Sequence, residues 1–238
     1  MTEKSFYVNR SVLSRSRGEK SEAILSNWHR LYGLDRGQSA ALLISECQPA
    51  MIDPDIAMFR GLAEAVQSRG MLAHINNLAA CCRNLSIPII HCIIRMSAQE
   101  DDFRGASPLQ LIMRRNMLLK VDSPASAIHP SVDVQPGDII SERSEGITAF
   151  QGSDLECTLR RLCVDTAILT GVSTNIALVG MSIEAVNRGF GVVIPEDCTA
   201  GATPETHAHA INHTLPALAR ITESAAVIAQ LEGRRRDR

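Results

Sequence analysis

Short, wholly apolar runs separated by amphipathic stretches constrain this chain more than any other feature. Residues 41–45, 88–94, 166–170 and 191–195 are apolar almost end to end. A strand of that kind has both faces covered, which is the signature of a parallel sheet between helices. Between the runs the period changes. Leu72, Ile75, Leu78, Cys82 and Leu85 share one face of a helix. Residues 109–119 read as helix, and residues 154–162 as an amphipathic helix with Arg160 and Arg161 outside. A further strand, 138–142, follows the turn Gln135-Pro-Gly137. Residues 203–218 read as mostly helix, 220–222 as a short edge strand, and 224–231 as a closing helix. Alternating strand and helix predicts an α/β fold: a three-layer α/β/α sandwich around a mostly parallel, Rossmann-like sheet of about six strands.

A length of 238 residues suits one domain with short extensions. We expect a polar, basic arm over residues 1–37, the α/β domain over 38–231, and a disordered basic tail over 232–238. The chain is 45% apolar but only 3% aromatic, so Leu, Ile, Val, Ala and Met build the core. So few aromatics argue against a stacking platform for single-stranded nucleic acid. A net charge of −2 draws the protein to neither nucleic acid nor an anionic membrane. Seven cysteines, an odd number without zinc-type spacing, read as reduced thiols of a cytoplasmic protein. No apolar run reaches the ~18 residues of a membrane span. Neither G-x-G-x-x-G nor G-x-x-x-x-G-K-[ST] occurs, so no nucleotide cofactor is expected; no metal is expected either.

The stretch Gly171-Val-Ser-Thr-Asn-Ile-Ala-Leu178 lies between a strand and a helix expected over 174–187. Such a turn sits at the carboxyl end of a parallel sheet, where ligands bind, with backbone N–H groups that favour negative charge. The helix is apolar almost all round through Ile176, Leu178, Val179, Met181, Ile183 and Val186. That pattern predicts burial on most sides, by its own domain or by another subunit. A homo-oligomer, dimer or tetramer, is therefore expected.

The turn resembles the nucleophile turn of the isochorismatase-like (cysteine hydrolase) superfamily, roughly Gly-Val-x-Thr-Asn-x-Cys-Val. Ala177 stands where the cysteine belongs. The segment Ala40-Ala-Leu-Leu-Ile-Ser-Glu-Cys-Gln48 is similar to the family's opening strand, which ends Asp-x-Gln; here the acid is Glu46. Arg143-Ser-Glu-Gly-Ile-Thr-Ala-Phe150 is similar to its lysine segment, with Arg143 at the lysine. The stretches Ala185 through Asp197 and Thr199-Ala-Gly201 also fit, and the resemblance covers residues 38–231. It implies a small-molecule hydrolase whose Asp, Lys and Cys positions read Glu46, Arg143 and Ala177, and a cis peptide between Val172 and Ser173. It supplies no match for the nicotinamidase-type metal site.

Each departure has a chemical consequence. Glu46 keeps a carboxylate and serves either as general acid or base or as half of a structural ion pair. Arg143 keeps the cation and suits a carboxylate or ureide oxygen, but shuttles no proton. Ala177 removes covalent catalysis there, while the backbone N–H groups of Ser173 and Ala177 remain available to a developing oxyanion. True isochorismatases lack the cysteine and protonate a vinyl ether instead. Residues expected around a small-molecule substrate are Ser173, Thr174, Asn175, Arg95, Gln48 and Phe150. Thr174 has a competing role as a helix cap, and neither it nor Ser173 has an evident histidine base. Cys47 follows Glu46 on a strand and should face away.

Other polar residues read as structural. His91 lies within an apolar strand and reads as a core histidine. His207, His209 and His213 read as solvated helix surface, and Asp197 as an anchor for the next loop. Residues 96–136 should supply a lid or substrate wall, with a turn at Asp101-Asp-Phe-Arg-Gly105. Two functions remain open: a hydrolase of a vinyl ether, amide or ureide working without a thiol, or a catalytically inactive relative that binds a small ligand or partner subunit.

Overall fold

The computed structural model describes Leu34, residues 39–97 and residues 107–236. Its sheet has seven strands: β1 (Ala40–Ser45), β2 (Ile89–Ile94), β3 (Ile139–Arg143), β4 (Thr166–Val172), β5 (Gly191–Pro195), the two-residue β6 (Thr199–Ala200) and β7 (Arg220–Thr222). The order is β3-β2-β1-β4-β5-β7, with β6 beside β4, and every pairing is parallel. A strand as short as β6 leaves no period in the sequence, and it accounts for the excess over about six.

The helices are α1 (Pro49–Ile52), α2 (Arg60–Ser68), α3 (Met71–Asn84), α4 (Pro108–Asn116), α5 (Leu155–Arg161), α6 (Val179–Asn187), α7 (Pro204–His209) and α8 (Ser224–Arg236). Alternation along β1 divides them between two cores. Leu42 and Ile44 pack with Leu62, Ile75, Leu78, Val227 and Leu231 of α2, α3 and α8. Ala41 and Leu43 pack with Leu155, Leu159, Met181 and Ala185 of α5 and α6. Each fully buried Leu or Ile contributes about 1.5–3 kcal/mol. Both faces of β1 are thus dry, as its continuous apolar run requires. Among the described residues no helix is long and apolar enough to cross a membrane.

The strand order reverses at β1. The chain moves outward through β2 and β3, then returns to β1's other side as β4. A crevice opens at such a switch point, beyond the carboxyl ends of the strands. Gly171 makes the close approach of β1 and β4 possible there. Its φ is +95°, and a Cβ on it would lie 2.2 Å from the Ser45 carbonyl oxygen.

Several elements differ from the sequence expectation. The helix expected over 174–187 starts as a π-turn, Thr174–Leu178, before continuing as α6. Its own domain does not cover it on most sides: Ile176, Ile183 and Val186 are 44%, 44% and 43% exposed in the single chain. The sheet covers only one side of a helix, and apolar composition does not say which side lacks a neighbour. The segment 203–218 is broken into α7, a π-turn over Ala210–Thr214 and a 3-10 turn over Leu215–Ala217 that contains Pro216. Helices α1 and α2 were not anticipated. At the ends, α8 continues through residues 232–236 of the expected tail. Leu34, within the expected arm, is buried in the core, and Gln230 Nε2 donates to its carbonyl at 3.5 Å. The rest of the arm and the Asp101–Gly105 turn lie outside the described residues.

Candidate active site

Three strand ends build the site. Glu46 follows β1 directly, and its φ of +51° turns the chain away from the sheet. Its N–H donates to the Cys92 carbonyl at 2.8 Å, and its own carbonyl accepts from Gln48 N–H at 2.8 Å. Arg143 is the last residue of β3. Strand β2 lies between the two, so their backbones are roughly 10 Å apart at ordinary strand spacing. The long arginine reaches over the end of β2, and glutamate adds a methylene of reach from the other side. Arg143 Nη2 donates to Glu46 Oε1 and to the Ile147 carbonyl at 3.3 Å. The two side chains are 2% and 6% exposed, so the pair is withdrawn from solvent.

The turn after β4 forms the third wall. The Val172–Ser173 peptide is cis, as the family resemblance implied. Ile176 and Leu178 amides both donate to the Ser173 carbonyl, at 3.4 and 3.1 Å. Asn175 Oδ1 accepts from Ala202 N–H at 3.1 Å and ties the turn to the loop after β6. Glu46, Arg143, Ser173, Asn175 and Ala177 therefore line one cavity of about 100 Å³. Met51 of α1, Phe59 just before α2 and Leu62 of α2 give it an apolar wall, and Leu109 and Met113 of α4 close another side. The segment 96–136 thus does contribute to the cavity wall, through α4. The wall residues before position 72 were not anticipated, because nothing in their local pattern points to a crevice.

Four expected substrate contacts are committed elsewhere and do not line this cavity. Gln48 is fully buried: Nε2 donates to the carbonyls of Ile94 (2.8 Å) and Ser126 (2.6 Å), and Oε1 accepts from Ile94 N–H (2.9 Å). It clamps the end of β2 to the following loops. Arg95 donates to Glu142 at 3.2 Å and to the Ser126 carbonyl at 3.4 Å. Phe150 packs in the α5–α6 core against Phe190, with ring centroids 6.4 Å apart. Thr174 is fully buried and has a histidine partner after all. Its hydroxyl lies 3.0 Å from His207 Nδ1, and it makes no side-chain cap.

His207 is correspondingly not helix surface. It is buried, and its Nε2 is 3.7 Å from Glu196 Oε1, beyond hydrogen-bond reach. Burial, then the Arg69 charge, holds its pKa below the usual 6.5 despite Glu196. His209 and His213 are exposed, as expected. His91 is a core histidine bonded to Asp138 at 3.2 Å. Asp197 anchors α8 by accepting from Ser224 N–H at 2.8 Å and from its hydroxyl at 2.5 Å.

No other thiol replaces the missing one. Cys47 is buried among core residues and does not line the cavity; burial, then the Glu46 charge, pushes its pKa up to about 12. Among the described residues, no three His, Cys, Asp or Glu side chains are grouped to hold a metal.

A family model described as Isochorismatase domain matches residues 40–226. The uncharacterised isochorismatase family protein YecD of Escherichia coli O157:H7 is 45% identical over 73 residues, 31% of this chain and 39% of that one. Maleamate amidohydrolase of Pseudomonas putida is 23% identical over 191 residues, 79% of this chain and 85% of that one. The first curated relatives are matched over 39%, 36% and 54% of their lengths. A solved isochorismatase family protein from Desulfovibrio vulgaris superposes with a TM-score of 0.70 at 20% identity, over 82% of this chain and 99% of that one. At that identity the structural likeness speaks for the fold.

Proposed function

This chain belongs to the isochorismatase family, and on that premise we propose that it hydrolyses a small amide, ureide or vinyl ether through Glu46, without a covalent thiol intermediate. The observation that carries this reading is the Glu46–Arg143 pair inside an apolar cavity, beside the Ala177 methyl group. Glu46 Oε1 is held by Arg143, while Oε2 accepts from no described residue. That oxygen is the one that takes a proton from water or gives one to substrate, work typically worth about 10²–10⁴ in rate. Arg143 supplies fixed positive charge in a dry site, where charge acts most strongly on a transition state. The named activity of the Pseudomonas putida relative, an amidohydrolase, supports an amide among the candidate bonds.

A second reading is a non-catalytic binding protein. It is favoured by one specific observation: the family's three reactive positions all differ, and the carboxylate is closed onto the guanidinium. A hydrolysis screen separates the two. The panel holds amides, ureides and a vinyl ether, read by mass spectrometry, with Glu46→Gln alongside. Turnover by the wild type and loss in the variant support the enzyme. Equal turnover by both removes Glu46 from the mechanism, and no turnover across the panel favours the binding protein.

A further inference from the structure

We propose that the cavity takes a small carboxylate, which displaces Glu46 from Arg143 and leaves Glu46 carrying a proton. This deepens the reading of Glu46 as the site's acid or base, and rests on it. Arg143 is 2% exposed. Nη2 is spent on Glu46 and the Ile147 carbonyl, but Nε and Nη1 have no acceptor among the described residues. An unpaired buried donor costs ~1–3 kcal/mol, and more on a charged group. Such a group in a folded protein calls for an explanation, and a bound partner is one.

The geometry of a guanidinium says which partner. Nη1 and Nη2 form one edge, which a carboxylate grips with two parallel hydrogen bonds. Glu46 engages this edge through a single oxygen on Nη2. A ligand carboxylate that takes the whole edge therefore offers Arg143 more than Glu46 does. Apart from Glu46, Arg143, Ser173 and Asn175 the wall is apolar, with Met51, Phe59, Leu62, Leu109 and Met113 among its residues, and the volume is about 100 Å³. A dry cavity of about 150 Å³ admits benzene, so this one suits an aliphatic carboxylate of about three or four carbons.

Charge dictates the proton. Two carboxylates facing one guanidinium, away from water, do not both stay ionised. Among the described residues lining the cavity, Glu46 is the only acidic one. The neighbouring Cys47 and Cys92 thiols are held protonated by burial, both at about 12, and take no part. The ligand enters as an anion and one proton passes from solvent to Glu46; no other bond changes. A general acid is then present only while an acidic substrate occupies the site.

Calorimetric titration of the full chain with isobutyrate and isobutyramide, in two buffers of different ionisation enthalpy, tests this. Isobutyrate should bind with proton uptake, and more tightly as pH falls. Isobutyramide should bind at least roughly tenfold more weakly. Glu46→Gln should bind isobutyrate with no proton uptake and no pH dependence. Arg143→Lys, which keeps the charge and loses the fork, should bind it more weakly while melting as a folded protein. Absence of isobutyrate binding, binding without proton uptake in the wild type, or preference for the amide overturns the proposal. Cleavage of the hydrolysis panel by a protein that ignores isobutyrate sinks this proposal and leaves the hydrolase reading standing. Proton-linked binding without turnover does the reverse.

Discussion

The Thr174 hydroxyl and His207 Nδ1 lie 3.0 Å apart in the interior, joining the turn after β4 to the helix that follows β6. Each group is buried, so each depends on the other for its hydrogen bond. Thr174→Val should destabilise the protein by ~1–3 kcal/mol, the cost of stranding the histidine nitrogen. His207→Leu should cost a similar amount. The double variant should cost less than the sum, because both polar groups are then gone. Urea unfolding of the four proteins measures the coupling; strict additivity would mean that the contact carries no energy.

Glu46 and Arg143 should show a contrast between shape and charge. Glu46→Gln keeps an oxygen for Arg143 and should remain folded. Glu46→Leu leaves a buried guanidinium unpaired and should cost ~3–5 kcal/mol. Under the proposed hydrolase reading, Glu46→Gln should also lose about 10²–10⁴ in rate. A Glu46→Leu protein as stable as the wild type would show that the pair is worth nothing to the fold.

Thiol labelling should follow burial. Cys157 and Cys163 are exposed, Cys81 is partly so, and Cys47, Cys82, Cys92 and Cys198 are buried. Iodoacetamide should modify Cys157 and Cys163 in the native state, and the buried four only after unfolding. Burial holds Cys47, Cys82 and Cys92 at about 12, far from the thiolate that reacts. Mass spectrometry of the digested protein counts the sites, and rapid labelling of native Cys47 would contradict this packing.

Stability should fall on mild acidification. Burial holds the pKa values of His91 and His207 below the usual 6.5, outweighing Asp138 in the first case and Glu196 in the second. The unfolded chain then binds more protons than the folded one as pH drops below 6.5. This contribution is complete above 6.5 and is lost as pH falls through the folded values. Asp138 adds a second loss at lower pH. Burial raises its pKa, but hydrogen bonds from Arg83, the Gln135 amide and His91 prevail and hold it below 3.8, so its contribution is present above 3.8 and lost below. Urea midpoints should be flat from pH 8 to 7 and decline below 6.5. His91→Asn should decline less steeply; an identical slope would remove His91 as a cause.

The layers were legible in local patterning. Apolar runs such as Ile89–Ile94 and the spacing of Leu72, Ile75 and Leu78 are local patterns, and burial of both faces of β1 follows from them. The turn at Gly171 was legible for the same reason: a glycine between strand and helix is a local event, and its φ of +95° satisfies a local need. The resemblance placed Glu46, Arg143 and Ala177 at one site, and the fold brings them to one cavity. The partners of individual side chains depend on packing. Gln48, Arg95 and Phe150 were legible as residues near strand ends, but their hydrogen bonds and ring contacts go to residues far along the chain. His207 had no visible link to Thr174, because 33 residues and two strands separate them. Local period sets which element forms and which face it buries. Strand order and register set which distant side chains meet, and a hydrogen bond between buried groups exists only once that packing has excluded water.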